Sequence, residues 1–168
     1  VMGCIRSAMH SSNAMYDDED VLERLCMKRM GTFTTQSGWD VFALDYRIDT
    51  SSPLSTVIPP TTMTEYQKVF RLLWKLKKAE MNVNECWKGL KCLCRSVNRP
   101  DLGVGNRLRE LLILAFNVRS KLSHFCINFQ YYIMFEVLES AWKDFTSTAD
   151  KATDLDALIH AHEAYVES

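Results

Sequence analysis

The feature that most constrains this chain is an absence: no proline or glycine lies between Asn106 and Ser168. Nothing in that length forbids one long helix. Within it Leu108, Ala115, Leu122 and Phe129 recur every seven residues, as do Leu111, Val118, Phe125 and Tyr132. Two adjacent seven-residue rows make one continuous apolar stripe along a helix. Across 125–138 the apolar residues spread beyond that stripe, and Asn128, Gln130 and Glu136 are the main polar interruptions. This pattern predicts a helix contacted on several sides. If continuous over 107–148, it would run roughly 60 Å at the usual rise per residue.

The other elements follow from local signals. Residues 1–12 read as a helix with Asn13 as its stop. Asp17 or Asp18 is placed to cap a second short helix, with Val21, Leu22, Leu25 and Cys26 on its buried side and Gly31 after its end. Residues 38–49 change character: Phe42, Leu44, Tyr46 and Ile48 alternate with Ala43, Asp45, Arg47 and Asp49, the period of a half-buried strand. The turn cluster 50–53 and the β-prone run 54–58 complete a small hairpin, which must rest on helices to be stable. Thr62-Met63-Thr64-Glu65 has the spacing of a capping box and opens a helix to about Arg95. Tyr66, Phe70, Leu73, Leu76, Val83, Trp87, Leu90 and Cys94 give that helix an apolar stripe, and lysines and arginines make its remainder basic. Pro100, Gly103 and Gly105 then let the chain reverse. Asp154 or Asp156 caps a last helix through Leu158, Ile159, His162 and Tyr165. The expected fold is mainly α: a bundle with two long antiparallel helices, shorter flanking helices and one small β-hairpin, forming one compact unit.

Composition excludes several classes. With 20 Lys and Arg against 21 Asp and Glu, the net charge is −1, no sign of nucleic-acid or membrane-surface binding. The most apolar window is too short and interrupted to span a bilayer, and there is no charged-then-apolar leader. The six cysteines are expected to be free and buried in a reducing compartment, which suits the cytoplasm. The chain starts without Met and its last helical pattern runs to the final residue, so a fragment of a longer protein is expected. Chemistry is scarce. His160 and His162 are two apart, on different sides of a helix, whereas a zinc-protease motif needs them four apart; a surface or interface role is expected for them. Cys92 and Cys94 lack metal-site spacing, Gly103-Val104-Gly105 is too short to cradle a phosphate, and no nucleophile–base set assembles. No enzyme, no metal and no cofactor are expected.

Several stretches together resemble the gamma-tubulin complex proteins. They include Trp39-Asp40-Val41-Phe42, Tyr66-Gln67-Lys68-Val69-Phe70-Arg71-Leu72-Leu73-Trp74 and Ala161-His162-Glu163. The most diagnostic is Gln130-Tyr131-Tyr132-Ile133-Met134-Phe135-Glu136-Val137-Leu138-Glu139, followed by Trp142. The likeness covers nearly the whole chain and is nearer to component 3 of that family than to component 2. It implies that 1–168 is part of a C-terminal gamma-tubulin-binding domain, with the family's N-terminal domain absent and further helices expected after Ser168. Such domains each hold one gamma-tubulin, and the ring-like array presents it as a template for microtubule nucleation at centrosomes or spindle pole bodies. Other components would be met through the N-terminal domain.

The expected gamma-tubulin contacts are Trp39, Asp40, Asp45, Arg47, Gln130, Tyr131 and Glu136, in the hairpin and the central helix. Their polar ends need water or a partner. Phe129, Tyr132 and Phe135 are read as core, holding the two long helices together as a rigid strut. The reading from another class is a generic helical adaptor that binds an acidic protein through the basic face of helix 62–95.

Overall fold

A computed structural model describes residues 2–12, 16, 18–29, 42–97 and 106–168, and the statements below concern these. Helices dominate, with one two-stranded sheet, as the sequence predicts. The chain divides into two compact units rather than the single one expected: Val1–Leu72 with Ala141–Ser168, and Leu73–Ser140.

The first unit holds α1 (Met2–His10), α2 (Glu19–Arg24), β1 (Leu25–Arg29), β2 (Phe42–Tyr46) and α3 (Leu54–Val57). It also holds the start of α4 (Pro60–Val97), then α6 (Ser140–Ala149) and α7 (Leu155–Glu167). The strand at Phe42–Tyr46 forms as the alternation predicts, but its partner is not 54–58. It pairs antiparallel with Leu25–Arg29, Leu25 opposite Tyr46 and Arg29 opposite Phe42. Helix α2 therefore stops at Arg24, and the residues expected to finish it become strand. The 54–58 run is instead the short helix α3. Its start is built by Ser52, whose hydroxyl accepts from the Leu54 N–H, with Pro53 supplying helical backbone angles just before the helix.

Helix α4 likewise starts earlier than the expected capping box, on Pro60, so Thr62 lies inside the helix and Glu65 pairs with Lys68. At the far end of the chain Asp154 caps α7: its carboxylate accepts from the Ala157 N–H at 2.7 Å. The interior of this unit includes Ala43, Gln67, Ala161 and His162.

The second unit contains the remainder of α4, α5 (Asn106–Tyr131) and a π-helical segment, Tyr132–Glu139. Residues 107–148 are thus helical throughout, but not as one α-helix. The two long helices run antiparallel. Gln130 donates to the Glu80 carboxylate at 2.8 Å, and Arg119, earlier on α5, donates to the later Asn84 at 3.0 Å and to the Val83 carbonyl. The Arg119 guanidinium also lies over the Trp87 ring.

These bonds fix how α5 is rotated. The buried row is Leu112, Cys126 and Ile133, with Arg119 at the intervening seventh position. That row lies one residue beyond the expected Leu111, Val118, Phe125 and Tyr132, which all stay exposed, as do Phe129 and Phe135. The reading of Phe129, Tyr132 and Phe135 as core is therefore overturned. One antiparallel neighbour covers about one row of a helix, and the row anchored by Arg119 is the one covered.

The cysteines differ from expectation too. None is in a disulfide, but only Cys126 is buried, and Cys4, Cys86 and Cys92 are exposed. Among the described residues, no helix is long and apolar enough to cross a membrane.

Candidate partner-binding surface

The residues expected to meet a partner fall into three groups. Trp39 and Asp40 lie outside the described residues. Asp45 and Arg47 belong to the first unit. Asp45 is half-buried on β2, and its carboxylate accepts from Gln67 at 3.2 Å. Gln67 is only 3% exposed, so this carboxylate satisfies a buried amide and is part of the interior. Arg47 sits just past the strand with its side chain exposed, and its backbone N–H extends the sheet by donating to the Arg24 carbonyl.

Gln130, Tyr131 and Glu136 belong to the second unit, where the structure separates their roles. Gln130 turns inward to Glu80. That bond, with a second from Lys77, holds the Glu80 carboxyl below the usual range. Tyr131 turns outward and is 61% exposed. It lines a shallow concavity of 500 Å3 with Asn128, Tyr132, Phe135 and Glu136. The Tyr131 and Phe135 rings stack at 5.3 Å, 24° apart, and earlier on the helix Phe125 and Phe129 stack at 5.7 Å, 10° apart.

This surface is an apolar, aromatic face with one carboxylate at its edge. Its Tyr132, Phe135 and Glu136 stand on the π-helical segment. There the i→i+5 bonding widens the helix, a form that recurs at functional sites. Sequence reasoning placed Tyr131 and Glu136 here but missed Asn128, Tyr132 and Phe135. The signal that could have found them is the excess of apolar positions across 125–138 over what one packed face can bury.

A second aromatic cluster lies in the first unit, gathered around the buried His162, with Trp142 at its exposed edge. Tyr66, Phe145, His162 and Tyr165 pack together, with Trp142 against Phe145 and Tyr165. The Tyr66 hydroxyl and His162 Nε2 are 2.7 Å apart. Burial pushes the Tyr66 hydroxyl up to about 12, with Tyr165 adding to the effect, and burial lowers His162 from its ordinary value. At neutral pH both groups are therefore uncharged and share one hydrogen bond. The backbone of Val57 in α3 holds the ring from another side. His162 is thus a core residue, contrary to the surface or interface role expected for it. His160 is exposed beside Glu163. Among the described residues no group of three or more His, Cys, Asp or Glu is placed to hold a metal ion.

Comparison with known proteins places the chain's sequence in one family. Residues 1–168 match the family described as "Gamma tubulin complex component C-terminal". The chain is 40% identical to "Gamma-tubulin complex component 3" of Arabidopsis thaliana over 99% of its own length and 20% of that protein. It is 36% identical to the human protein of the same name, over 99% of this chain and 18% of that one. With "Spindle pole body component alp6" of Schizosaccharomyces pombe the identity is 36%, over 98% of this chain and 19% of the relative. The chain therefore spans about a fifth of the length of these relatives. It belongs to the gamma-tubulin complex component family, within the C-terminal region that defines the match.

Proposed function

We propose that this chain is part of the gamma-tubulin-binding domain of a non-catalytic scaffold subunit. That subunit holds gamma-tubulin as a template for microtubule nucleation at a microtubule-organising centre in the cytoplasm. Other gamma-tubulin complex components are its neighbours in the assembly. The observation that carries this reading is the exposed aromatic face at Tyr131, Tyr132 and Phe135. It has the composition of an interface hot spot. The relatives' names, which include both gamma-tubulin complex and spindle pole body components, support the assembly and its location.

The site is narrower than the sequence suggested. Tyr131 and Glu136 remain as contacts, joined by Tyr132 and Phe135. Arg47 is exposed just past the strand, whereas Asp45 and Gln130 work inside the fold.

The test is co-purification of gamma-tubulin with the intact polypeptide carrying Tyr131→Ala and Phe135→Ala. Two truncated hot-spot aromatics should weaken binding by about 30-fold or more. Both side chains are largely exposed, so the melting temperature should move little. Undiminished gamma-tubulin recovery from a folded double variant would remove this face from the footprint.

The adaptor reading loses ground on the electrostatics. Lys68, Lys77 and Lys88 on the basic face of α4 are each paired with a glutamate of the same helix, Glu65, Glu80 and Glu85. These pairings lower the charge that α4 offers to an acidic partner.

A further inference from the structure

The second unit has another uncovered face, distinct from the aromatic concavity. A groove of 610 Å3 runs between α4 and α5, and its lining is almost wholly apolar. Val83 and Leu90 on one wall are seven residues apart. On the other wall Leu111 and Val118 are seven apart, with Leu122 continuing the stripe. The direct contact between the helices uses the neighbouring row of Leu112, Arg119 and Cys126, so these seams are left over. Two antiparallel helices with adjacent seven-residue apolar seams form the holes that the knobs of a third helix fill.

Charge narrows the choice of third helix. The stretches that bear the groove, 81–97 and 106–124, carry seven lysines and arginines against two glutamates, a balance of +5 on a chain of net −1. Arg107 and Lys121 stand fourteen residues apart in the row directly flanking the α5 seam on its outer side. A second copy docked groove to groove would bring +5 against +5, and a nucleic acid has no apolar knobs to offer. We propose that the groove receives an amphipathic helix of a partner protein. Its apolar residues recur at 3.5-residue spacing, and aspartates or glutamates on its flanks, two heptads apart, face Arg107 and Lys121. This is independent of the gamma-tubulin reading, which rests on other residues.

Two native cysteines make the test. Cys86 lines the groove, while Cys92 is exposed on the same helix outside it. The probe is a stapled helix of about 15 residues, four turns long, with leucines in the seam and glutamates on the flanks; its counterpart carries lysines instead. Iodoacetamide labelling of the intact polypeptide is read by mass spectrometry at both cysteines. At about ten times its Kd the acidic helix should slow Cys86 labelling about tenfold and leave Cys92 unchanged. The lysine helix should protect weakly. Arg107→Glu with Lys121→Glu should invert the preference, and raising salt from about 0.05 to 0.3 M should narrow it. Three results overturn the proposal. One is Cys86 already unreactive without probe, meaning that the protein's own chain fills the groove. Another is protection that grows with protein concentration alone, meaning a second copy does. The last is equal protection by both helices, meaning apolar adhesion without the charge recognition.

Discussion

His162 shows how one side chain can join distant parts of a sequence. It is 4% exposed, and its bond to Tyr66 spans 96 positions. Replacing it with alanine leaves a half-buried tyrosine hydroxyl without its hydrogen-bond partner, which costs about 1–3 kcal/mol, readable as a lower urea midpoint. Its titration gives a sharper signature. Burial lowers its folded pKa below the ordinary 6.5, so the unfolded chain takes up a proton that the folded chain refuses. The stabilisation is complete above about pH 6.5 and is lost as pH falls from there through the folded value. Tyr66 has the opposite sense: its stabilisation is complete below 10 and is lost as pH rises toward about 12. Unfolding midpoints measured across pH should fall at both limits, and His162→Gln should flatten the acid limb while sparing the alkaline one. The sequence already held part of this. His162 shares an apolar row with Leu158, Ile159 and Tyr165, whereas His160 does not. The tyrosine partner, on another helix, was not readable from spacing.

At the scale of elements, helices were legible and pairings were not. The 3.6-residue period and the proline and glycine positions located α4, the 107–148 helical run and α7 to within a few residues. The strand at Phe42–Tyr46 was equally clear from its alternation. Its partner was mistaken because Val21, Leu22, Leu25 and Cys26 also fit a helix, and strand pairing is decided by tertiary contact. The bond from Gln67 to Asp45 is one such contact. Asp45→Ala should cost about 1–3 kcal/mol because it leaves a buried amide unpaired, whereas Arg47→Ala should stay within about 0.5 kcal/mol; thermal melts of the two variants separate interior from surface roles. The same distinction limited the candidate site. Sequence shows that Gln130 and Tyr131 are adjacent, but only the rotation of α5 shows that one faces Glu80 and the other faces outward. Gly89 offers a converse case. It lies inside α4 at the groove, and an added Cβ meets nothing within 4 Å. Gly89→Ala should therefore raise stability by roughly 0.5–1 kcal/mol through helix propensity, measured by chemical denaturation.

At the scale of the whole molecule, the two units are arranged unusually along the chain. The second is contiguous, Leu73–Ser140, while the first is assembled from 1–72 and 141–168 on either side of it. That arrangement sets an order in time. A chain emerging from the ribosome completes the contiguous unit before α7 exists, and only afterwards can His162 close on Tyr66. Synthesis usually favours the N-terminal part; here the middle is ready first, and the beginning waits for the end. Nascent chains stalled with residue 140 just outside the exit tunnel should resist protease across 73–140 and be cut readily within 42–72. Stalling after residue 168 has emerged should protect both. Until then Tyr66, still without His162 and Tyr165, marks a vacancy in the folding schedule, the interval in which a chaperone would have most to hold.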